Sequence, residues 1–565
     1  MTDQELKKLK DDLWHSADIL RSGAHIAANK YGQPILGLIF LRYADILFKQ
    51  HKAEIDAEYN AKKDTRAERD YKDICIEKCG FFLPEVAYYD YINGTENGTK
   101  KKAEIVKNAM MEIEKENPIL KDVLPKEVYG QLVPDEEPEL LSRVVRIFID
   151  IPENIEIDLI GEIYEYFLGE FALNEGKDGG TFYTPATVVR YMMEVLKPEV
   201  GEKQFLDPAC GSGGMFVQAA RYMHRHNQDA DRMKFRCYGV EKEPDTVKLA
   251  KMNLMLNNVR GEIVEANSFY ADPHNAFGKF DYVMANPPFN VDEVLYERVK
   301  DDRRFNTYGM SKGTKGKGKD TKETVSNANY LWISYFAAAL NPNGRAALVM
   351  ANSASDAGSN DLEIRKNMIS AGIIKQMVTL PSNMFTSVTL PATLWFFDKN
   401  KPQNQKDEIL FIDARNIFTQ VDRAHRKFSE EQIKNLGIIT RLYEGDTQAF
   451  DDLIAEYKAN AVGDNKEYFE SQIDWLLERF PDHKYQDVIG LCKAAKIAGE
   501  DGIEDQDFSL NAGRYVGVVI EDDGMTEQEF KDHIKSLNAE FATLCNEAKS
   551  LENTIETNIN ELFGE

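Results

Sequence analysis

The sequence predicts an α/β protein, with a mostly parallel sheet between a helical N-terminal domain and a C-terminal helical tail. Three observations predict it. Residues 1–160 carry apolar residues at helical spacing, residues 161–480 alternate short apolar runs with helical stretches, and residues 481–565 end in a long heptad pattern. In the first part, DQELKKLKDDLWHSADILRS places Leu6, Leu9, Leu13, Ile19 and Leu20 near one helical face, as an amphipathic helix requires. Pro34 to Phe48 is the most apolar stretch, but Arg42 and Asp45 interrupt it, so it reads as a buried helix and not a membrane span. A polar loop, YINGTENGTKKK, is expected to break this region.

In the middle part the runs are QFLD, FRCYGVE, GEIVEAN, FDYVMANPP, GRAALVMAN, IKQMVTLP, TLWFFDK and EILFIDA. Strands at this spacing with helices between them form βαβ units, whose ligands bind at the carboxyl ends of the strands. In the tail, Phe530, Ile534, Leu537, Phe541, Leu544, Ala548, Leu551 and Ile555 follow alternating steps of four and three. Such a seam needs a helical partner, within the chain or outside it.

Bulk properties restrict the function. A chain of 565 residues exceeds one core. Its net charge of −26 argues against a protein that holds nucleic acid unaided, because phosphate neutralisation needs a basic surface; a local basic patch or a basic partner remains open. The N-terminus has no apolar signal region, so a cytoplasmic location is expected. Six cysteines give no disulfide framework, and Cys75 and Cys79 lack the second pair or histidines of a zinc site. No resident metal is expected.

Two motifs carry the chemistry. QFLDPACGSGGMF sets Gly211, Gly213 and Gly214, with Ser212 among them, directly after a strand. Glycines there let backbone amides approach a ligand and start a helix facing it. Glu241 closes the next strand and offers a carboxylate to ribose hydroxyls; a tight turn with a satisfied acid is the plain alternative. In VMANPPFN, a strand breaks into Asn286, Pro287, Pro288 and Phe289. The prolines stiffen the corner and donate nothing, while the Asn286 side chain and the Pro287 carbonyl supply acceptors. Two acceptors can orient a planar amine, and an aromatic ring beside them can stack on its base. A merely proline-terminated strand is the alternative.

GGTFYTP (179–185), DPACGSGG, ANPPFN and LNAGRYVG (510–517) together resemble the modification subunit of type I restriction–modification systems. The likeness covers nearly the whole chain, with Ala512 standing where the family would have proline. It implies a Rossmann-like S-adenosylmethionine-dependent methyltransferase domain acting on adenine N6 in double-stranded DNA, with the target base flipped out. It also implies a specificity subunit held through the C-terminal helix, a second copy of this chain on the same specificity subunit, and a restriction subunit. By the same resemblance Tyr183, Thr184 and Pro185 hold the cofactor's carboxylate, Asp207 faces its amino group, and Asn267 lies near its adenine ring. From the residues alone, Thr184 also reads as a helix cap with Pro185 as first helical residue.

Between Arg303 and Lys322 stand seven basic residues and one acid, Asp320. Arg303, Arg304, Lys312, Lys315, Lys317 and Lys319 are candidates for DNA contact, or simply a solvated, mobile loop. Other readings compete: a stand-alone amino-methyltransferase on cytosine N4, RNA or a glutamine amide, or a cofactor-binding assembly scaffold.

Overall fold

The structure is a computed structural model. It describes all residues except 1–2, 25–27, 67, 96–98, 132–138, 176–183, 200, 227–234, 316–321, 326, 386–390, 423–424, 520–525 and 564–565. It forms two compact units, Met1–Val516 and Gly517–Glu565.

All eight predicted runs are strands of one nine-stranded sheet: β1 Lys203–Asp207, β2 Phe235–Glu241, β3 Gly261–Glu265, β4 Phe280–Ala285, β5 Leu340–Ala351, β6 Ile374–Thr379, β7 Ala392–Asp398, β8 Glu408–Asp413 and β9 Cys492–Lys496. The order is β9-β8-β6-β7-β5-β4-β1-β2-β3. β7 runs antiparallel to both neighbours and β9 antiparallel to β8; the other pairings are parallel. Chain order reverses at β1 and β4, whose register pairs Phe205 with Tyr282 and Leu206 with Val283. A crevice opens at such a reversal, outside the carboxyl ends of the strands.

Two cores explain why the runs read as almost continuously apolar. Phe205, Tyr282, Met284, Leu394, Phe396, Leu410 and Ile412 enter the core on one face. Their chain neighbours Leu206, Val283, Ala285, Trp395, Phe397, Ile409 and Phe411 enter the core on the other. Alternating side chains go to opposite faces, and both faces are covered, so both sets are mostly apolar, with Lys375, Gln376, Thr379, Thr393 and Asp398 as buried exceptions on β6 and β7. Helices Ala186–Leu196, Gly214–His226 and Glu430–Tyr443 cover the first face, and helices Asn329–Ala339 and Ser359–Ser370 the second.

The N-terminal part is helical, as predicted, with a third core around Ile35–Phe48. Arg42 and Asp45, which interrupt that stretch, are both buried and paired at 3.1 Å, and Arg42 also donates to the Ile151 carbonyl at 2.7 Å. Cys75 and Cys79 belong to this core. In the polar stretch 91–102, residues 91–94 end one helix, Tyr89–Gly94, and residues 99–102 start another, Thr99–Glu116; residues 96–98 lie outside the described residues. The Lys102 ammonium is buried and donates to the carbonyls of Ile92 and Asn93 at 2.7 and 3.1 Å, closing the first helix. Met252 and Leu256, on helix Pro244–Leu256, join the N-terminal core, while Val247, Ala250 and Leu254 of that helix face the sheet.

β9 carries the sheet past residue 480, and the first unit runs to Val516. The second unit is dominated by helix Glu527–Phe563. Thr526 and Glu529 cap it reciprocally: the Thr526 amide donates to the Glu529 carboxylate at 2.7 Å and the Glu529 amide to Thr526 Oγ1 at 3.3 Å. Among the described residues, no helix is long and apolar enough to cross a membrane.

Candidate active site

The two motifs meet at the reversal. The glycine-rich turn leaves the end of β1 and the Asn-Pro-Pro-Phe corner leaves the end of its neighbour β4. Within the turn Gly211 (φ +51°) and Gly213 (φ +76°) are left-handed, a conformation that costs any residue with a Cβ. A Cβ at Gly211 would point into open space, whereas one at Gly213 would come within 2.7 Å of Leu254. Gly213→Ala is therefore expected to lower stability by about 1–3 kcal/mol and to weaken cofactor binding, checked by thermal melts and calorimetric titration.

Carboxylates frame the turn. Glu241 Oε2 accepts from the Gly211 amide at 3.1 Å, and Oε1 accepts from the amides of Lys242 and Glu243 at 2.7 and 2.9 Å. These bonds aim the carboxylate and leave it acceptor capacity. Asp207 is fully enclosed and accepts a hydrogen bond from the Ala209 amide at 3.0 Å. Burial pushes its carboxyl up to about 8, with the nearby Glu241 charge adding to the rise and the Ala209 bond opposing it. Ser268, after β3, donates to the Pro208 carbonyl at 2.5 Å and so ties the third loop to the turn. Asn267 sits beside it, half-exposed, its side-chain oxygen accepting from the Phe269 amide at 3.0 Å.

At the corner, Asn286 is 8% exposed, and among the described residues its Oδ1 has no hydrogen-bond donor. A buried amide oxygen left unpaired costs about 1–3 kcal/mol, so the resting corner carries an acceptor awaiting a donor. Pro287 is buried, and Pro288 and Phe289 are half-buried, with Phe289 packed where both sheet cores meet. The chain beyond is clamped by residues that motif reading passed over. Asn290 (φ +55°) receives a bond from Asn329 Nδ2 at 2.9 Å and from Asn327 Nδ2 at 3.0 Å, and its own amide donates to Asn329 Oδ1 at 2.8 Å. Their sequence signal was only the asparagine repeat in FN…NANY.

Two expectations need correction. The helix after TFYTP begins at Ala186, and Pro185, extended at φ −56° and ψ 134°, is its cap; it has no side-chain acceptor. Thr184 therefore lies outside the cap position. Arg304 is no DNA contact: it is 3% exposed and donates to the carbonyls of Ser268 and Ala271 at 3.0 and 2.9 Å and to Asp302 at 2.7 Å. A guanidinium with that many internal partners holds the loop after β3. Arg303 is exposed, its guanidinium 3.9 Å from the Phe277 ring, and Lys312 is exposed.

The described flanks of the basic segment form strands. Gly313–Lys315 pairs with Glu323–Val325, and Val294–Leu295, just after the corner, pairs with the same strand. Buried Val294 and Val325 seed this small sheet. Tyr183, Lys317 and Lys319 lie outside the described residues, as does the Lys315 side chain.

Comparison with known proteins decides the family. The N-6 DNA Methylase model matches residues 155–523, and the HsdM N-terminal domain model matches 9–148. The chain belongs to the N-6 DNA methylase family. The resemblance read from the four motifs thus holds. This methylase is 33% identical to the type I restriction enzyme MjaIX methylase subunit of Methanocaldococcus jannaschii, over 97% of the chain and 90% of that protein. It is 32% identical to the HindI methylase subunit of Haemophilus influenzae, over 81% of the chain and 92% of that protein. Its fold matches a type I restriction–modification methyltransferase subunit from Streptococcus thermophilus, with TM-score 0.68 at 20% identity, over 90% of this chain and 99% of that one.

An N-6 methylase implies S-adenosylmethionine, and the site fits it. An enclosed acid with a raised proton affinity suits an ammonium, a carboxylate closing β2 suits ribose hydroxyls, and the open side of Gly211 leaves room for backbone approach.

Proposed function

We propose that the protein methylates adenine N6 in double-stranded DNA as the catalytic subunit of a type I modification complex, with the site chosen by a separate specificity subunit. The observation that carries this reading is the buried Oδ1 of Asn286, unpaired among the described residues, beside the glycine-rich turn. When bound, S-adenosylmethionine supplies an electrophilic methyl group on a sulfonium. Asp207 would pair with its ammonium, Glu241 with its ribose hydroxyls, and Gly211, Ser212, Gly213 and Gly214 would hold it through the backbone of the turn, with Asn267 bordering its adenine. The Pro185 helix start, with Thr184 and Tyr183, receives its carboxylate.

An exocyclic adenine nitrogen is a poor nucleophile because its lone pair is delocalised into the ring. Asn286 Oδ1 and the Pro287 carbonyl each accept one N6 hydrogen, which turns that lone pair toward the methyl group. The cofactor would supply the methyl group, and Asn286 Oδ1 and the Pro287 carbonyl would hold the N6 proton that is released to solvent. Alignment and fixed dipoles carry the rate, and the prolines keep reorganisation small. Phe289 stacks on the extruded base. Arg303, Lys312, Lys315, Lys317 and Lys319 contact the phosphate backbone.

The tail helix docks the specificity subunit, two copies of this chain flank it, and a restriction subunit joins them. A basic partner explains how a chain of net charge −26 acts on DNA. The test is methylation of DNA, RNA and protein by the assembled complex with labelled cofactor, followed by digestion. Label in N6-methyladenine supports the reading; label in cytosine, RNA or glutamine contradicts it.

Asp207 gives a pH prediction. Its raised carboxyl holds a proton in the empty folded site up to about pH 8, while the unfolded chain releases it near 3.8. The empty protein therefore loses stability as pH rises through that window. Ammonium pairing needs the ionised form, so cofactor affinity is expected to strengthen from pH 6 to 8. Asp207→Asn should flatten that rise and raise the melting temperature of the cofactor-free protein at pH 7.5 by about 2 °C. Calorimetric titrations and melts across pH check both.

A further inference from the structure

Beneath the glycine-rich turn runs a partly buried polar chain that methyl transfer leaves without a task. Glu165, on helix Ile157–Glu175, is 6% exposed, and its Oε2 accepts from Gln218 Nε2 at 2.5 Å and from Arg221 Nη1 at 2.8 Å. Both donors sit on helix Gly214–His226, which begins at the turn. Arg221 Nη2 donates to Asn257 Oδ1 at 2.7 Å, and Asn257 Nδ2 to Asn253 Oδ1 at 3.0 Å. Asn253, completely buried, donates Nδ2 to the Ser212 carbonyl at 3.0 Å.

The chain starts on a helix packed into the N-terminal core, through Ile160, Ile163, Tyr164 and Phe167, and ends on the backbone of the turn. Packing leaves it little play: a Cβ on Gly161 would stand 2.3 Å from Asn257 Oδ1. Buried Glu165 and Asn253, linked through half-buried Arg221 and Asn257, are a costly way to join helices, since apolar residues of similar volume serve as well or better for stability. Their advantage is geometric: a satisfied polar network admits one arrangement of its members.

We propose that Glu165 is a positioning residue for the cofactor turn. Through Gln218 and Arg221, and onward through Asn257 and Asn253 to the Ser212 carbonyl, it holds residues 211–214 in their binding conformation. Docking of the N-terminal helices and cofactor affinity are thereby coupled. The proposal rests on the reading that this turn holds S-adenosylmethionine.

The test uses the full chain for calorimetric cofactor binding and the assembled complex for kinetics. Glu165→Gln, which keeps the size of the side chain, is expected to raise cofactor Kd and KM about tenfold with kcat within about twofold of the parent. Amide hydrogen exchange across 211–214 should quicken in the cofactor-free variant. Asn253→Ala should match it, and the double variant should be no worse than either single one, as for members of one chain. A role confined to stability would lower the melting temperature but leave the KM of the folded enzyme unchanged, and that result overturns the proposal. Should Glu165→Gln fail to fold, a parental Kd in Asn253→Ala overturns it equally. Gly213→Ala separates the two readings. If it weakens binding while Glu165→Gln does not, only the positioning role falls; if it also binds as the parent does, the cofactor turn itself is misassigned.

Discussion

Asn286→Ala is expected to bind S-adenosylmethionine as the parent does and to methylate DNA about a thousandfold more slowly. The magnitude follows from removing one of two acceptors that orient the amine, comparable to losing one preorganised hydrogen-bond partner of a transition state. Stability should move the other way. Oδ1 is buried without a donor among the described residues, so alanine removes an unsatisfied group and leaves the melting temperature unchanged or higher. A residue that merely ended a strand would show neither the rate loss nor this opposition between stability and activity. Filter binding of labelled cofactor, single-turnover methylation and thermal melts on one preparation check all three. Parental turnover by the variant would remove Asn286 from the mechanism.

Loss of the tail seam is expected to abolish assembly while sparing the catalytic unit. Phe530, Ile534, Leu537, Phe541, Leu544, Leu551 and Ile555 are all exposed on helix Glu527–Phe563, the least so at 47%. A monomeric protein rarely shows so long an apolar stripe, and the heptad spacing suits a helical partner. Deleting 526–565, or making Leu537→Asp with Leu544→Asp, should therefore prevent co-purification with the specificity subunit. Cofactor affinity should stay within about twofold of the parent, because the glycine-rich turn and the corner belong to the compact unit ending at Val516. Retention of the specificity subunit by either variant would place the docking surface elsewhere. The substitutions matter beside the deletion, since they preserve chain length and replace only side chains already in solvent.

Much of this was legible in the sequence because both faces of the sheet are covered. The runs IKQMVTLP and TLWFFDK are mostly apolar for that reason, though buried Gln376 and Thr393 interrupt them, and that composition is visible without coordinates. β9 escaped notice for the opposite reason. CKAAK is an edge strand with lysines at both flanking positions and little apolar content, and its partner β8 selects it. The reaction corner was readable since asparagine and proline have few reasons to end a strand together.

Residues that act through others were not readable. Arg304 looked like part of a basic run, yet burial and four oxygen partners make it a support for the loop after β3. Lys102 sits in a stretch that composition marks as loop, but its ammonium ends one helix beside the start of the next. Asn327, Asn329 and Glu165 have little local signature, because the partners that give them their task, Asn290 and Arg221, lie 37 to 56 residues away.

The reading stands or falls on where the amino group of the target base goes. A structure of the assembled complex on its DNA site, with a non-transferable cofactor analogue, measures this directly. The expected result is an adenine outside the helix stack, its N6 within about 3.2 Å of both Asn286 Oδ1 and the Pro287 carbonyl, and its ring against Phe289. An extruded base whose amino group meets other oxygens, with Asn286 Oδ1 bonded to the protein instead, would contradict it.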